Sequence, residues 1–206
     1  MHMAVAHDER VHQLLREVYL GSATTNCERL IVGASLAHMQ DRLGKDAAIQ
    51  AIEKSVPCLD FGIRALENFK PEESIPALAA ADKLPDQVDH SEIELAIFRI
   101  QVANTSSEAE RLKMYQDELL KGQYRVMQWI GQRLGMTPSL QALDILVNAR
   151  KSTNMQVAQC GFDGIRTGIE NHVWPREELE KRGYLDPSDP DIQKKFAAAA
   201  EKKKSL

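Results

Sequence analysis

The stretch from Cys160 to Glu178 reads CGFDGIRTGIENHVWPREE, and a related stretch, CLDFGIRALENFKPEE, runs from Cys58 to Glu73. Both contain the pattern Cys-x-x-x-Gly-Ile-Arg, and in both a Glu-Asn pair follows a few residues later. Each stretch then continues into a proline and further carboxylates. This recurrence predicts that a helical unit occurs twice in the chain.

A second pair of similar blocks lies upstream of these stretches. Arg-Leu-Gly occurs at 42–44 and again at 133–135, with IQAI following at 49–52 and LQAL at 140–143. Because two separate blocks recur in the same order, we interpret the chain as the product of an internal duplication.

The composition favours helices over sheets. Ala, Leu, Glu, Lys and Gln are common, and aromatic residues make up only 5% of the chain, a mixture typical of helical proteins. Apolar residues recur at helical spacing, for example Val11, Leu14, Leu15 and Val18 on one face of a first helix. Runs that alternate with a period of two are missing. The sequence therefore predicts an all-α protein, a multi-helix bundle or helical-repeat-like array of about ten to twelve helices.

The order of helices and turns predicts four parts. An N-terminal helical subdomain with the first copy spans 1–85, connecting helices span 86–121, and the second copy spans 122–185. A final helix lies within 186–206, and the sequence does not decide whether it docks on the rest of the chain.

Charge and composition argue against several classes of protein. The net charge of −4 and the isoelectric point near 5.9 do not suit a protein that binds nucleic acid, which needs a basic face. No apolar run is long enough to span a bilayer, so membrane insertion is not expected. Three well-separated cysteines without a CxxC motif or a signal peptide predict a protein of the reducing bacterial cytoplasm.

The common catalytic and metal-binding patterns are missing from the sequence. It contains no HExxH, GxSxG, Walker A or EF-hand motif. His90 and Glu94 are four residues apart, but no second pair of this kind accompanies them. Cys58 and Cys160 lie among apolar residues, which predicts buried and unreactive thiols. The sequence therefore predicts no catalytic set, no metal site and no cofactor.

The candidate site residues come from the repeated stretch. Arg64 precedes Glu67 by three residues and Arg166 precedes Glu170 by four, so each Arg and Glu share a helix face. They could form structural salt bridges, on the surface or between helices. Alternatively, the two guanidinium groups could grip a carboxylate or the acidic side chain of a partner. The complete set of candidates for binding a partner or a ligand is Arg64, Glu67, Asn68, Arg166, Glu170, Asn171, His172 and Trp174.

Two further features of the second stretch have a structural and a functional interpretation. Gly161, Gly164 and Gly168 fall on one helix face, which favours close helix packing over a phosphate-binding loop, because such a loop lies between a strand and a helix. Trp174 is expected to fill the core, although it would anchor an interface if it were exposed.

These observations favour a non-enzymatic helical module that binds another protein, such as an adaptor, an accessory chaperone or an inhibitor or immunity protein. One alternative is a small enzyme or ligand-binding protein with a polar site between the two copies. Another is a structural subunit that forms homo-oligomers through the glycine face or the final helix. An enzyme requires a concave polar pocket, a binding module requires a shallow apolar groove or patch, and an oligomer buries such a patch against itself.

Overall fold

A computed structural model describes residues 9–21, 26–53, 59–70, 72–83 and 89–184 of the chain. These residues form eleven α-helices and one short 3-10 turn, and none of them belongs to a strand. The predicted all-α fold is confirmed. Cys58 and the final segment 186–206 lie outside the described residues, so the predictions made for them stay predictions.

The first compact unit comprises Met1–Ser107. Its core helices α2, α3 and α4 each pack against the other two, and α6 packs against α4. Leu36, Leu66, Leu78, Ile93 and Ile100 are fully buried in this unit. Its helices are α1 (Glu9–Leu20), α2 (Asn26–His38), α3 (Arg42–Glu53), α4 (Leu59–Phe69), α5 (Ile75–Ala81) and α6 (His90–Asn104), with the 3-10 turn Glu72–Ser74 before α5.

Helix α1 differs from the other helices of this unit because none of its residues is buried. The apolar side chains of Val11, Leu14 and Val18 are exposed instead of packed. Helix α1 contacts α2, and polar side chains attach it to the unit. His12 Nε2 lies 2.7 Å from a carboxylate oxygen of Asp41, and Arg16 donates to the same oxygen at 3.0 Å.

Asp41 is buried at the start of α3, where its second carboxylate oxygen accepts the backbone N–H of Leu43 at 3.0 Å. Burial acts to raise the pKa of this carboxyl group. The hydrogen bonds from Leu43 and His12 and the charge of Arg16 outweigh burial, so the pKa of Asp41 lies below its ordinary value. The charged carboxylate therefore both begins α3 and holds α1.

The second compact unit comprises Glu108–Leu206. Its longest described helix, α10, packs against both α8 and α9, and α7 packs against the same two helices. Leu119, Ile130, Leu134, Leu143 and Leu146 are fully buried here. The helices are α7 (Glu108–Leu119), α8 (Tyr124–Gly135), α9 (Leu140–Arg150), α10 (Met155–Glu170) and α11 (Arg176–Lys181).

The structure does not confirm the predicted duplication. The two Gly-Ile-Arg sequences do lie in helices, α4 and α10. The upstream blocks, however, lie at different places: Arg-Leu-Gly begins α3 at 42–44 but ends α8 at 133–135. The two Arg-Leu-Gly blocks lie at different helix ends because their neighbouring residues differ. The Asp41 carboxylate accepts an N–H at the first turn of α3, whereas the N–H of Met136 closes the last turn of α8.

The border between the two units falls within the segment 86–121 that the sequence predicts to be a connector. Helix α6 packs in the first unit and α7 packs in the second. Both helices have apolar residues in a core, including Ile93 and Ile100 of α6 and Leu112 and Leu119 of α7.

Within the described residues, no helix has both the length and the apolar character needed to cross a membrane.

Candidate functional site

The predicted site residues lie on two helices that belong to different compact units. Arg64 and Glu67 are on α4 in the first unit, whereas Arg166 and Glu170 are on α10 in the second. Asn68 is also on α4, but its side chain lies outside the described part of the structure. Each pair therefore has its own local surroundings.

On α4, Glu67 contacts a neighbouring helix and not Arg64. Arg99 of α6 donates from one guanidinium nitrogen to Glu67 Oε1 at 2.8 Å, and the Glu67 side chain is only 19% exposed. The contact forms because α6 packs against α4. Glu67 thus makes a salt bridge between helices, and Arg64 remains on the exposed surface of α4.

On α10, Arg166 has only loose contacts within its own helix. Its guanidinium nitrogens lie 3.6 Å from Asp163 and 4.0 Å from Glu170, and its side chain is 60% exposed. Exposed pairs of this kind stabilise a helix by only about 0.3–0.5 kcal/mol. Arg166 can therefore leave these carboxylates at little cost and pair with a group from outside.

Asn171 and His172 terminate α10. The Asn171 side-chain amide donates to the carbonyl oxygen of Thr167 at 2.8 Å. His172 has a left-handed backbone with φ of 52°, and the next N–H, that of Val173, donates back to the carbonyl of Gly168 at 2.9 Å. This is the hydrogen bond of a Schellman motif. The main role of both residues here is to end the helix.

Trp174 is a core residue, with 3% of its surface exposed. Its indole N–H donates to the carbonyl oxygens of Thr137 and Ser139, each at 3.1 Å. Its ring lies directly against Gly168, where any added methyl group would overlap the ring. The alternative in which an exposed Trp174 anchors an interface therefore does not apply.

The three glycines of α10 allow close packing within the second unit. A Cβ atom on Gly161 would lie 2.7 Å from the carbonyl oxygen of Leu146, and one on Gly164 would lie 2.6 Å from that of Gly131. Real Cβ atoms do not come this close to other atoms. Because this face is already occupied by α8 and α9, it agrees with the predicted close packing within the unit, and the alternative of a homo-oligomer stays a prediction.

The opposite side of α10 carries a group of residues that we call the outer face, namely Met155, Phe162 and Arg166. Spacings of seven and four residues place them on one side of the helix, away from the glycines. Met155 is 86% exposed and Phe162 is 43% exposed. The helix thus has one side fixed by tight packing and another side that presents large apolar groups and a cation.

Beside the outer face, the guanidinium group of Arg150 lies over two aromatic rings. Its central carbon is 5.5 Å from the centre of the Phe162 ring and 5.4 Å from that of the Tyr184 ring. Arg150 ends α9, Phe162 is on α10, and Tyr184 follows α11. We call these three residues the arginine sandwich.

The position of Tyr184 depends on how α11 ends and on what holds it. Gly183 adopts φ of 72°, and Tyr184 N–H donates back to the carbonyl of Leu179 at 2.9 Å. Arg182, immediately before this turn, hydrogen-bonds to Asp144 of α9 and lies 3.5 Å from Glu178. The ion pair fastens α11 to α9, and the glycine turn then directs Tyr184 back toward Arg150.

The described residues offer little for catalysis or metal binding. They contain no group of three or more His, Cys, Asp or Glu side chains that could hold a metal ion. Cys160 is a free thiol, and burial raises its pKa to about 11. A thiol with such a high pKa is a poor nucleophile near neutral pH.

Sequence reasoning did not select Met155, Phe162, Arg150 or Tyr184. The first two could have been found by projecting α10 onto a helical wheel, because they lie opposite the glycines that were recognised. The other two could not, because their contacts with Phe162 depend on how α9 and the turn after α11 pack.

Comparison with protein-family models, with curated proteins and with solved structures gave no match.

Proposed function

We propose that the protein is a non-enzymatic interaction module that binds a segment of another protein on the outer face of α10. The observation that carries the proposal is the exposure of Met155 and Phe162 on one side of a helix whose other side is tightly packed. Met, aromatic residues and Arg are enriched where proteins bind one another, and the outer face contains all three.

If a partner buried the side chains of Met155 and Phe162, they would contribute substantially to the affinity of the complex. Covering a Met or Phe side chain stabilises a complex by about 1.5–3 kcal/mol. Because the glycines lock α10 against α8 and α9, the backbone of the face is already ordered, and little conformational entropy is lost on binding.

The surroundings of the outer face favour one chemistry for the proposed partner. Two apolar side chains, about 10 Å apart along the helix axis, require apolar side chains from the partner. Arg166 is held only loosely by Asp163 and Glu170, and it favours a carboxylate at one end of the contact. The partner segment therefore combines an aliphatic or aromatic residue with an acidic group.

The proposal is tested by displaying random peptides and selecting those that bind the immobilised full chain. We expect enriched peptides to contain an apolar residue close to a carboxylate. The variant Met155→Ser/Phe162→Ser should bind them at least about tenfold more weakly, since a tenfold change corresponds to about 1.4 kcal/mol. Fluorescence anisotropy of a labelled selected peptide gives the dissociation constants.

A matched control is available in the same unit. Leu120 and Met136 are also exposed, at 60% and 52%, but they lie outside the outer face. Leu120→Ser/Met136→Ser should leave peptide binding unchanged. Equal losses in the two double variants, or a selection that yields no peptide, would exclude the outer face as a binding site.

The location of the protein is a separate matter. The sequence predicts the cytoplasm, but Cys27 is disulfide-bonded, and disulfides are rare in cytosolic proteins. The proposed interaction does not depend on the compartment, and we propose it without tying it to the cytoplasm.

A further inference from the structure

The arginine sandwich contains hydrogen-bond donors that have no acceptor in the part of the chain that the structure describes. The guanidinium group of Arg150 lies over the ring of Phe162 and over that of Tyr184. Among the described residues, no carboxylate or carbonyl accepts a hydrogen bond from its guanidinium group. Other arginines of the same unit do have such partners, since Arg182 binds Asp144 and Arg176 binds Glu180.

The two rings fix the guanidinium group without occupying its donors. Contact with aromatic faces restrains a side chain that otherwise has many rotamers, while the N–H groups project from the edge of the guanidinium plane. A planar fork that is already ordered loses less entropy when it binds a planar anion. This arrangement suits recognition through two parallel hydrogen bonds.

We propose that Arg150 is a carboxylate-binding site, which takes either an acidic side chain or a C-terminal carboxylate. The inference rests on the proposed function, because Phe162 belongs both to the sandwich and to the outer face. It deepens that function by placing the carboxylate of the partner beside the apolar side chain that covers Phe162.

The sandwich favours a carboxylate over a phosphate. A carboxylate has a single charge and a planar shape that matches one guanidinium fork. Phosphorylated ligands are usually held by clusters of arginines, whereas the sandwich presents one guanidinium group beside two uncharged rings.

The experiment is an NMR titration of the full-length, 15N-labelled protein, in which the Nε–H signal of Arg150 is followed. N-acetyl-leucine supplies a C-terminal carboxylate, and N-acetyl-aspartate amide supplies a side-chain carboxylate. N-acetyl-leucine amide, phenyl phosphate and sodium chloride serve as comparisons at equal ionic strength. We expect a saturable shift with one or both carboxylates, and the ligand that binds more tightly identifies the source.

Arg133 provides an internal control in the same spectra. Its guanidinium carbon lies 5.8 Å from the centre of one ring, that of Trp129, so it is stacked on one side only. Its signal should respond at least about tenfold more weakly than that of Arg150. Arg150→Lys, which keeps the charge but lacks the fork, and Tyr184→Leu, which removes one wall, should each weaken carboxylate binding several-fold.

Three outcomes would overturn the inference: a response to the uncharged amide or to chloride equal to that for the carboxylates, equal responses at Arg133 and Arg150, or tighter binding of phenyl phosphate. Thermal melting of the variants shows whether they remain folded. The titration uses small carboxylates and no partner. It can therefore succeed when peptide selection fails, and peptide selection can succeed when the titration fails. The failure of one proposal is thereby separated from the failure of the other.

Discussion

Helices α4 and α10 share the sequence Gly-Ile-Arg, but they pack in different ways. A Cβ atom on Gly62 of α4 would meet no atom of the described residues closer than 3.7 Å, an ordinary van der Waals distance. At the corresponding position of α10, a Cβ atom on Gly164 would lie 2.5 Å from Leu146 Cδ2 and 2.6 Å from the carbonyl oxygen of Gly131. The same glycine is therefore replaceable in one helix and required in the other.

The acidic residues of the two helices also differ in how they are packed. Glu67 of α4 is mostly buried and bonded to Arg99 of another helix, whereas Glu170 of α10 is exposed and lies 4.0 Å from Arg166 of its own helix. In α4 the acidic residue contributes to packing between helices. In α10 the glycines achieve close packing, and the charged residues remain available on the surface.

The largest effect is expected from adding one methyl group to each glycine. Gly164→Ala should destabilise the second unit by about 1–3 kcal/mol, because the methyl group forces α8 and Leu146 away. Gly62→Ala should stabilise the first unit by up to about 1 kcal/mol, because alanine favours a helix more than glycine does. Urea unfolding of both variants measures the two effects.

Two signals separate the units in this experiment. Trp129 and Trp174 both belong to the second unit, so tryptophan fluorescence follows that unit alone, whereas circular dichroism follows the helices of both. Gly164→Ala should lower the midpoint of the fluorescence transition, and Gly62→Ala should leave it unchanged. Equal effects of the two substitutions would show that α4 and α10 are packed alike.

The helical fold could be predicted from the sequence because it depends on local signals. Asn154, for example, precedes α10 and accepts the N–H groups of Gln156 and Val157, a cap that a sequence reveals. The exposure of Val11, Leu14 and Val18 could not be predicted. Apolar spacing shows that residues share a face, but it does not show whether another helix covers that face.

The site was harder to predict than the fold. Repetition in the sequence selected Arg64 and Arg166, but both lie on exposed surfaces in different units. It also selected Trp174, which is buried by the close approach of α10. The arginine sandwich joins α9, α10 and the turn after α11, residues far apart in the sequence. Spacing rules do not report contacts between separate helices, so they could not have indicated the arginine sandwich.

A smaller difference is expected from the acidic residues of the two helices. Glu67→Gln should destabilise the first unit by about 1 kcal/mol, since it removes the charge from a partly buried salt bridge with Arg99. Glu170→Gln should change the stability of the second unit by less than about 0.5 kcal/mol, because the pair it removes is exposed and long. Hydrogen exchange of the α4 and α10 amides measures each change within its own helix.

This prediction also has a salt dependence that serves as its control. Raising the salt concentration should weaken the Glu170 pair more than the Glu67 pair, because exposed charges are screened more strongly than partly buried ones. If Glu170→Gln slowed or accelerated exchange as much as Glu67→Gln, the contrast between the two acidic residues would be lost.

The smallest effect is expected at the residue that follows each helix, because this residue has a left-handed backbone in both cases. Lys70 follows α4 and His172 follows α10, and both have φ of 52°. A left-handed backbone costs a residue with a side chain about 1–2 kcal/mol, whereas glycine adopts it freely but loses about 0.5–1 kcal/mol more conformational entropy on folding. Lys70→Gly should therefore stabilise the first unit by about 0.5 kcal/mol. Gly183→Ala is the reciprocal control, because Gly183 has φ of 72° and an added Cβ would have no atom of the described residues within 4 Å. Alanine lowers the entropy of the unfolded chain, so a loss of stability there shows that the backbone strain exceeds this gain. A loss at Gly183 without a gain at Lys70 would mean that the Lys70 side chain makes contacts worth more than the strain that it imposes.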